Sequence, residues 1–171
     1  SLNHAFWLAE EKNSLRDWDK SKWETLYPTR ENVEFAIQEK DMALYEIREI
    51  RKLSEADCPY IKQDKLQLLR DRLFINEKYV VLYAAATKSL MLARYVIETK
   101  ESREDSFYKE ACASLRTALI ELKKLEQELT QFHKTTDYLP HYIYTLLDPD
   151  RIHALHKDLN MRTKMYLNND N

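Results

Sequence analysis

Apolar residues return at helical spacing along most of this chain. In the first segment, from Ala5 to about Leu26, Phe6, Trp7, Leu8, Leu15, Trp18, Trp23 and Leu26 suit an interrupted helix face. Pro28 ends it and pushes Tyr27 out of helical geometry. Thr29 then stands as an N-cap with Glu31 in the first turn, where the helix dipole favours an anion. Val33, Ala36, Ile37, Leu44, Ile47 and Ile50 predict an amphipathic helix from Thr29 to Ala56. Asp57-Cys58-Pro59 forms a corner, with Pro59 suited to the first turn of the next helix.

From Pro59 to Lys100 no proline or turn cluster interrupts the pattern. Leu66, Leu69, Leu73, Val80, Tyr83, Leu90 and Ile97 form one stripe, while Ile61, Leu68, Ile75, Tyr79, Leu82, Ala86, Ala93 and Val96 form a second beside it. Two stripes predict a central spine touching more than one partner helix, about 42 residues and roughly 63 Å long. Asn76 and Arg94 interrupt the first stripe, where a polar residue can fix register. Ser102 and Asp105 resemble a capping box for a helix carrying Phe107, Ala111, Leu115, Ala118, Leu122, Leu125, Leu129 and Phe132 to about His133. A connector containing Tyr138, Pro140, Tyr142 and Tyr144 follows, with no predicted shape. Asp148-Pro149 opens a last helix through Ile152, Leu155, Leu159 and Tyr166 to about Leu167.

The expected fold is all-α, a single antiparallel bundle of about four main helices plus the N-terminal helical segment, built on the spine at about 59–100. Short connectors make consecutive helices antiparallel neighbours. The helix from Thr29 is then expected along the lower part of the spine and the helix from Ser102 along its upper part. That register separates Cys58 from Cys112 by roughly 50 Å of helix, far beyond the roughly 7 Å limit for Cα atoms in a disulfide. Two reduced thiols are expected. An acidic first third (net −4 over residues 1–58) beside a basic spine (net +3 over residues 59–101) suggests internal complementarity, with a basic functional groove on the spine as the rival reading.

Composition narrows function chiefly by exclusion. The 171 residues include no glycine, where average usage would give about 12. Glycine-rich phosphate loops, dinucleotide fingerprints, nucleophile elbows and calcium loops need it for positive φ or close backbone approach, so those enzyme classes are excluded. A net charge of −2 argues against nucleic acid as a partner. The best uninterrupted apolar run, Tyr79 to Ala86, is too short for a membrane span. The chain opens Ser1-Leu2 and is expected to be a fragment of a larger protein.

Constellations for chemistry are sparse. No glutamate has a histidine three residues on, as a di-iron bundle requires, and His-Glu-x-x-His is absent. His153 and His156 could share a metal with Asp150, but two surface histidines flanking Leu155 are the favoured reading. Cys58 at a helix start could have a lowered pKa, yet no histidine is near it in sequence. The expectation is no catalytic residue, no metal site and no cofactor. The aromatic residues are more suggestive. Trp7, Trp18, Trp23, Tyr138, Tyr142 and Tyr144 form the candidate contact patch, set against the reading in which they seal the bundle core and rim.

The segment Arg70-Asp-Arg-Leu-Phe-Ile-Asn-Glu-Lys-Tyr-Val-Val-Leu-Tyr-Ala-Ala-Ala-Thr-Lys-Ser-Leu90 resembles the long helices of accessory bundles in large secreted carbohydrate-active proteins. There such bundles lie C-terminal to a barrel-like catalytic domain. Leu147-Asp-Pro-Asp-Arg-Ile152 before a final helix is similar to their ending. The resemblance implies a non-catalytic module packed on a catalytic or sugar-binding domain, in a secreted or periplasmic protein. It carries over no functional residue. Two functions are therefore expected as alternatives: a non-enzymatic helical module docking on a neighbouring domain or protein partner, or a glycan-binding module with Trp and Tyr as stacking platforms.

Overall fold

The computed structural model describes residues 28–56, 59–99, 103–135 and 147–168. Within them lie four helices and no strands: α1 (Arg30–Glu55), α2 (Gln63–Glu98), α3 (Ser106–Thr135) and α4 (Pro149–Leu167). The all-α bundle expected from the periodicity is what forms. Among the described residues none has positive φ, in keeping with a chain that has no glycine. Helix ends instead leave through extended caps, Ala56 after α1 and Thr99 after α2.

Side chains set three of the helix starts. The Thr29 hydroxyl accepts the Asn32 N–H at 3.3 Å, and Asp148 accepts the Asp150 N–H at 2.9 Å with Pro149 in the first turn. For α3 the cap is Asp105, whose Oδ1 accepts from the N–H groups of Phe107 and Tyr108 at 2.8 and 3.2 Å. The expected capping box had Ser102 in that role; it lies outside the described residues. The short Asp side chain reaches the two orphan amides directly. The spine spans 36 residues, not 42. Residues 59–62 are exposed, so there is no packing there to hold a first turn, and Pro59 sits in a turn ahead of the helix.

Helix α2 is the core. Every side chain from Ser89 to Val96 is buried, because α1, α3 and α4 all pack against it. Its face toward α3 and α4 contributes Leu82, Ala86, Leu90, Ala93 and Val96 to one apolar cluster with Leu115, Leu122, Leu129, Ile152, Leu155 and Leu159. An 18-residue window of α2 has a mean hydropathy of 1.4, enough in length and composition to cross a membrane. Counting only consecutive apolar residues missed this, although 67% of that window is buried inside the bundle.

The expected register needs a correction. Arg51 pairs with Glu77 and Asp41 with Lys88, which sets α1 antiparallel to α2. Phe132 meets Phe74 with ring centroids 5.9 Å apart, and Phe107 meets Tyr95 at 5.1 Å, which sets α3 antiparallel along the same stretch. Helices α1 and α3 thus share the whole upper spine side by side rather than dividing it. A spine apolar on several faces can carry both at one level. Helix α4 returns along α3, tied by His153 Nδ1 to Glu126 Oε1 at 3.2 Å and by Arg116 Nη2 to the Leu167 carbonyl at 2.6 Å.

Charge complementarity between α1 and the spine is real but mixed in sign. Asp41–Lys88 follows the expected acidic-on-basic arrangement, whereas Arg48 and Arg51 both approach Glu77 in the reverse sense. Arg70 closes the end of α1 by donating to the carbonyls of Ser54 and Glu55 at 2.9 and 3.1 Å. Of the two polar stripe residues, Asn76 is exposed and fixes nothing in an interface. Arg94 is buried and bonds Glu98 through two nitrogens at 2.9 and 3.0 Å.

Candidate functional site

The residues of the aromatic patch expected from the sequence, Trp7, Trp18, Trp23, Tyr138, Tyr142 and Tyr144, all lie outside the described residues. The flanking residues can be placed. Arg30, at the start of α1, sits over the Phe107 ring at the upper end. Thr135, which leads into the tyrosine connector, follows Phe132 at the lower end. Arg30 and Thr135 thus lie at opposite ends of the bundle. Cys58 also lies outside the described residues, while Cys112 is a buried thiol in no disulfide.

Among the described residues no group of three His, Cys, Asp or Glu side chains could hold a metal ion. The His153–His156–Asp150 combination does not assemble. His153 turns to Glu126 on α3, and Asp150 serves the start of α4. Glu126 is nearly enclosed between Lys123, at 2.8 Å, and His153. Burial works to raise its pKa, but the hydrogen bonds from Lys123 and His153 outweigh that and hold it below the usual 4.5. Beside it, burial keeps His156 below 6.5, helped by the Lys123 charge and opposed by Glu126.

Both shifts make stability rise with pH. His156 contributes fully above its unfolded pKa near 6.5 and loses that contribution as pH falls through its lower folded value. Glu126 contributes fully above its unfolded value of 4.5 and loses its share at still lower pH. Urea unfolding of wild type should thus weaken in two steps on acidification. His156→Gln is expected to remove the upper step and Glu126→Gln the lower. A profile unchanged by both substitutions would contradict these environments.

Two surfaces remain that the sequence reading did not single out. The first is the outer face of α1. Phe35, Met42 and Leu53 are 67%, 59% and 76% exposed, and at 100° per residue they fall within about 20° of one another. Val33, Ala36 and Lys40, which are buried, point the other way toward α2. Tyr45 flanks this outer stripe, and Glu31, Glu46 and Glu49 border it. The signal was present in the sequence as apolar residues spaced 7 and 11 apart. The stronger inner pattern masked it.

The second surface is a groove of about 640 Å³ between α3 and α4. Leu119, Ile120 and Leu167 form its floor; Arg116, Lys123, Lys124 and Lys164 supply its cations, and no carboxylate lines it. Ile120 is 70% exposed within it. This basic groove lies on α3 and α4, not on the spine where the sequence reading placed its rival hypothesis. No single helix announces it, because the cations come from two helices, with Lys124 and Lys164 40 residues apart in sequence.

No family model matches the chain, and neither the curated proteins nor the solved structures contain a match.

Proposed function

We propose that this chain is a non-enzymatic helical interaction module that docks on a second protein domain through the outer face of α1. The observation that carries this reading is the Phe35–Met42–Leu53 stripe on the side of α1 away from α2. Single exposed apolar residues are ordinary, but alignment along most of one helix is the pattern by which an amphipathic helix fills a groove. The Glu31, Glu46 and Glu49 border specifies the partner. It presents an apolar strip edged by Lys or Arg, with the charges guiding approach and the apolar contact supplying affinity. The spine's resemblance to accessory bundles of carbohydrate-active proteins fits the same non-catalytic role.

Introducing a thiol by Met42→Cys in a Cys58→Ser background tests this. In dilute solution the introduced thiol is expected to react with iodoacetamide as fast as a small thiol peptide, with light scattering giving the monomer mass of 20.6 kDa. Strong protection in that dilute monomer would mean that residues 1–27 of the chain itself cover the stripe, and the reading would fall.

A further inference from the structure

The partner surface required by α1 exists on this same chain. An apolar floor of Leu119, Ile120 and Leu167 edged by Arg116, Lys123, Lys124 and Lys164 is what the acidic, apolar outer face of α1 would seek. From Arg116 to Gln127 the groove follows 11 residues of α3, roughly 17 Å, so it matches the Met42–Leu53 part of the stripe and leaves Phe35 beyond its end. The charges agree. Lys123 and Lys124 already meet Glu126 and Glu128 on their own helix, but among the described residues neither Lys164 nor Glu46 has an ion-pair partner. We infer that the occupant of the groove is α1 of a second copy of this chain, with Met42, Tyr45 and Leu53 over Leu119 and Ile120, and Glu46 facing Lys164. This inference rests on the docking reading of α1 and names its partner.

Its geometry has a definite consequence. Helix α1 packs on α2, whereas the groove is formed by α3 and α4, so the two surfaces belong to different parts of one molecule. Contact between them is heterologous, and each copy that uses its stripe leaves its groove open for the next. Assembly then proceeds head to tail, into an open chain or a closed ring, rather than stopping at a symmetric dimer.

The test uses two variants altered only at exposed positions. One lacks the stripe (Glu46→Lys with Leu53→Ser), and the other lacks the groove (Ile120→Ser with Lys164→Glu). Thermal melts first establish that both remain folded. In sedimentation velocity, wild type is expected to grow in mass with concentration past the dimer, more steeply at low salt. Each variant alone should stay at 20.6 kDa. Their equimolar mixture should form a one-to-one complex and stop there, because one intact stripe meets one intact groove. Wild type that remains monomeric up to about 1 mM overturns the inference, as does a mixture that stays monomeric while wild type associates. Neither result touches the dilute thiol measurement on Met42→Cys. The docking reading therefore stands or falls separately.

Discussion

Replacing Leu122 by Ala will lower the unfolding free energy by about 2–5 kcal/mol, measured as a shift in urea midpoint with little change in slope. Leu122 is completely buried at the centre of α3, and Leu115 and Leu129, one heptad to either side, are equally inaccessible. Its neighbours come from the α2 and α4 faces of the same apolar cluster, so truncation leaves a cavity that three helices must share. The loss combines the transfer free energy of the missing methyl groups with dispersion contacts forfeited around the void. Leu53→Ala is the matched control. It removes the same atoms from a side chain already in water and should change stability by less than about 0.5 kcal/mol. Equal effects at the two positions would mean that the core is not where α2, α3 and α4 meet.

Glu98→Gln is expected to destabilise by about 2–3 kcal/mol. Arg94 is buried near the top of α2, and both bonds to Glu98 run within one helix, at i and i+4. Removing the carboxylate charge takes from a guanidinium that has already surrendered its hydration the anion that two of its hydrogen bonds reach. The Glu98 side chain is itself partly exposed, which keeps the expected cost below that of a fully enclosed pair. The double substitution Arg94→Met with Glu98→Gln should recover much of the loss, since an apolar chain of similar length suits the site. Additive losses in that cycle would show that the two side chains act independently.

The register of the bundle shows where sequence reasoning stops. Heptad stripes identified α2 as a helix with several apolar faces, and Asp148-Pro149 and Thr29 marked two helix starts that the structure retains. Those features are local: capping is decided within four residues, and periodicity within two turns. The level at which α1 and α3 lie along α2 is not local. It depends on which layers interdigitate, and pairs such as Phe74–Phe132 and Arg51–Glu77, far apart in sequence, set it. Asn76 and Arg94 make the same point. Both interrupt one stripe, yet one faces water and the other is enclosed, because only the upper half of α2 is covered all round.

The interaction surfaces divide in the same way. The outer stripe of α1 was legible in principle, since Phe35, Met42 and Leu53 share one face by spacing alone. That no other described helix covers them is a tertiary fact, because it required knowing that α1 packs on α2 along one side only. The basic groove was not legible at all: Lys123 and Lys164 become neighbours only when α4 folds back along α3. Sequence by itself determined the helices, the caps at Thr29 and Asp148 and the absence of glycine-dependent motifs, because each depends on residues close along the chain or on composition. The tertiary structure alone decided register, which polar residues are enclosed and which charges converge, because these follow from packing between helices that the chain order leaves free.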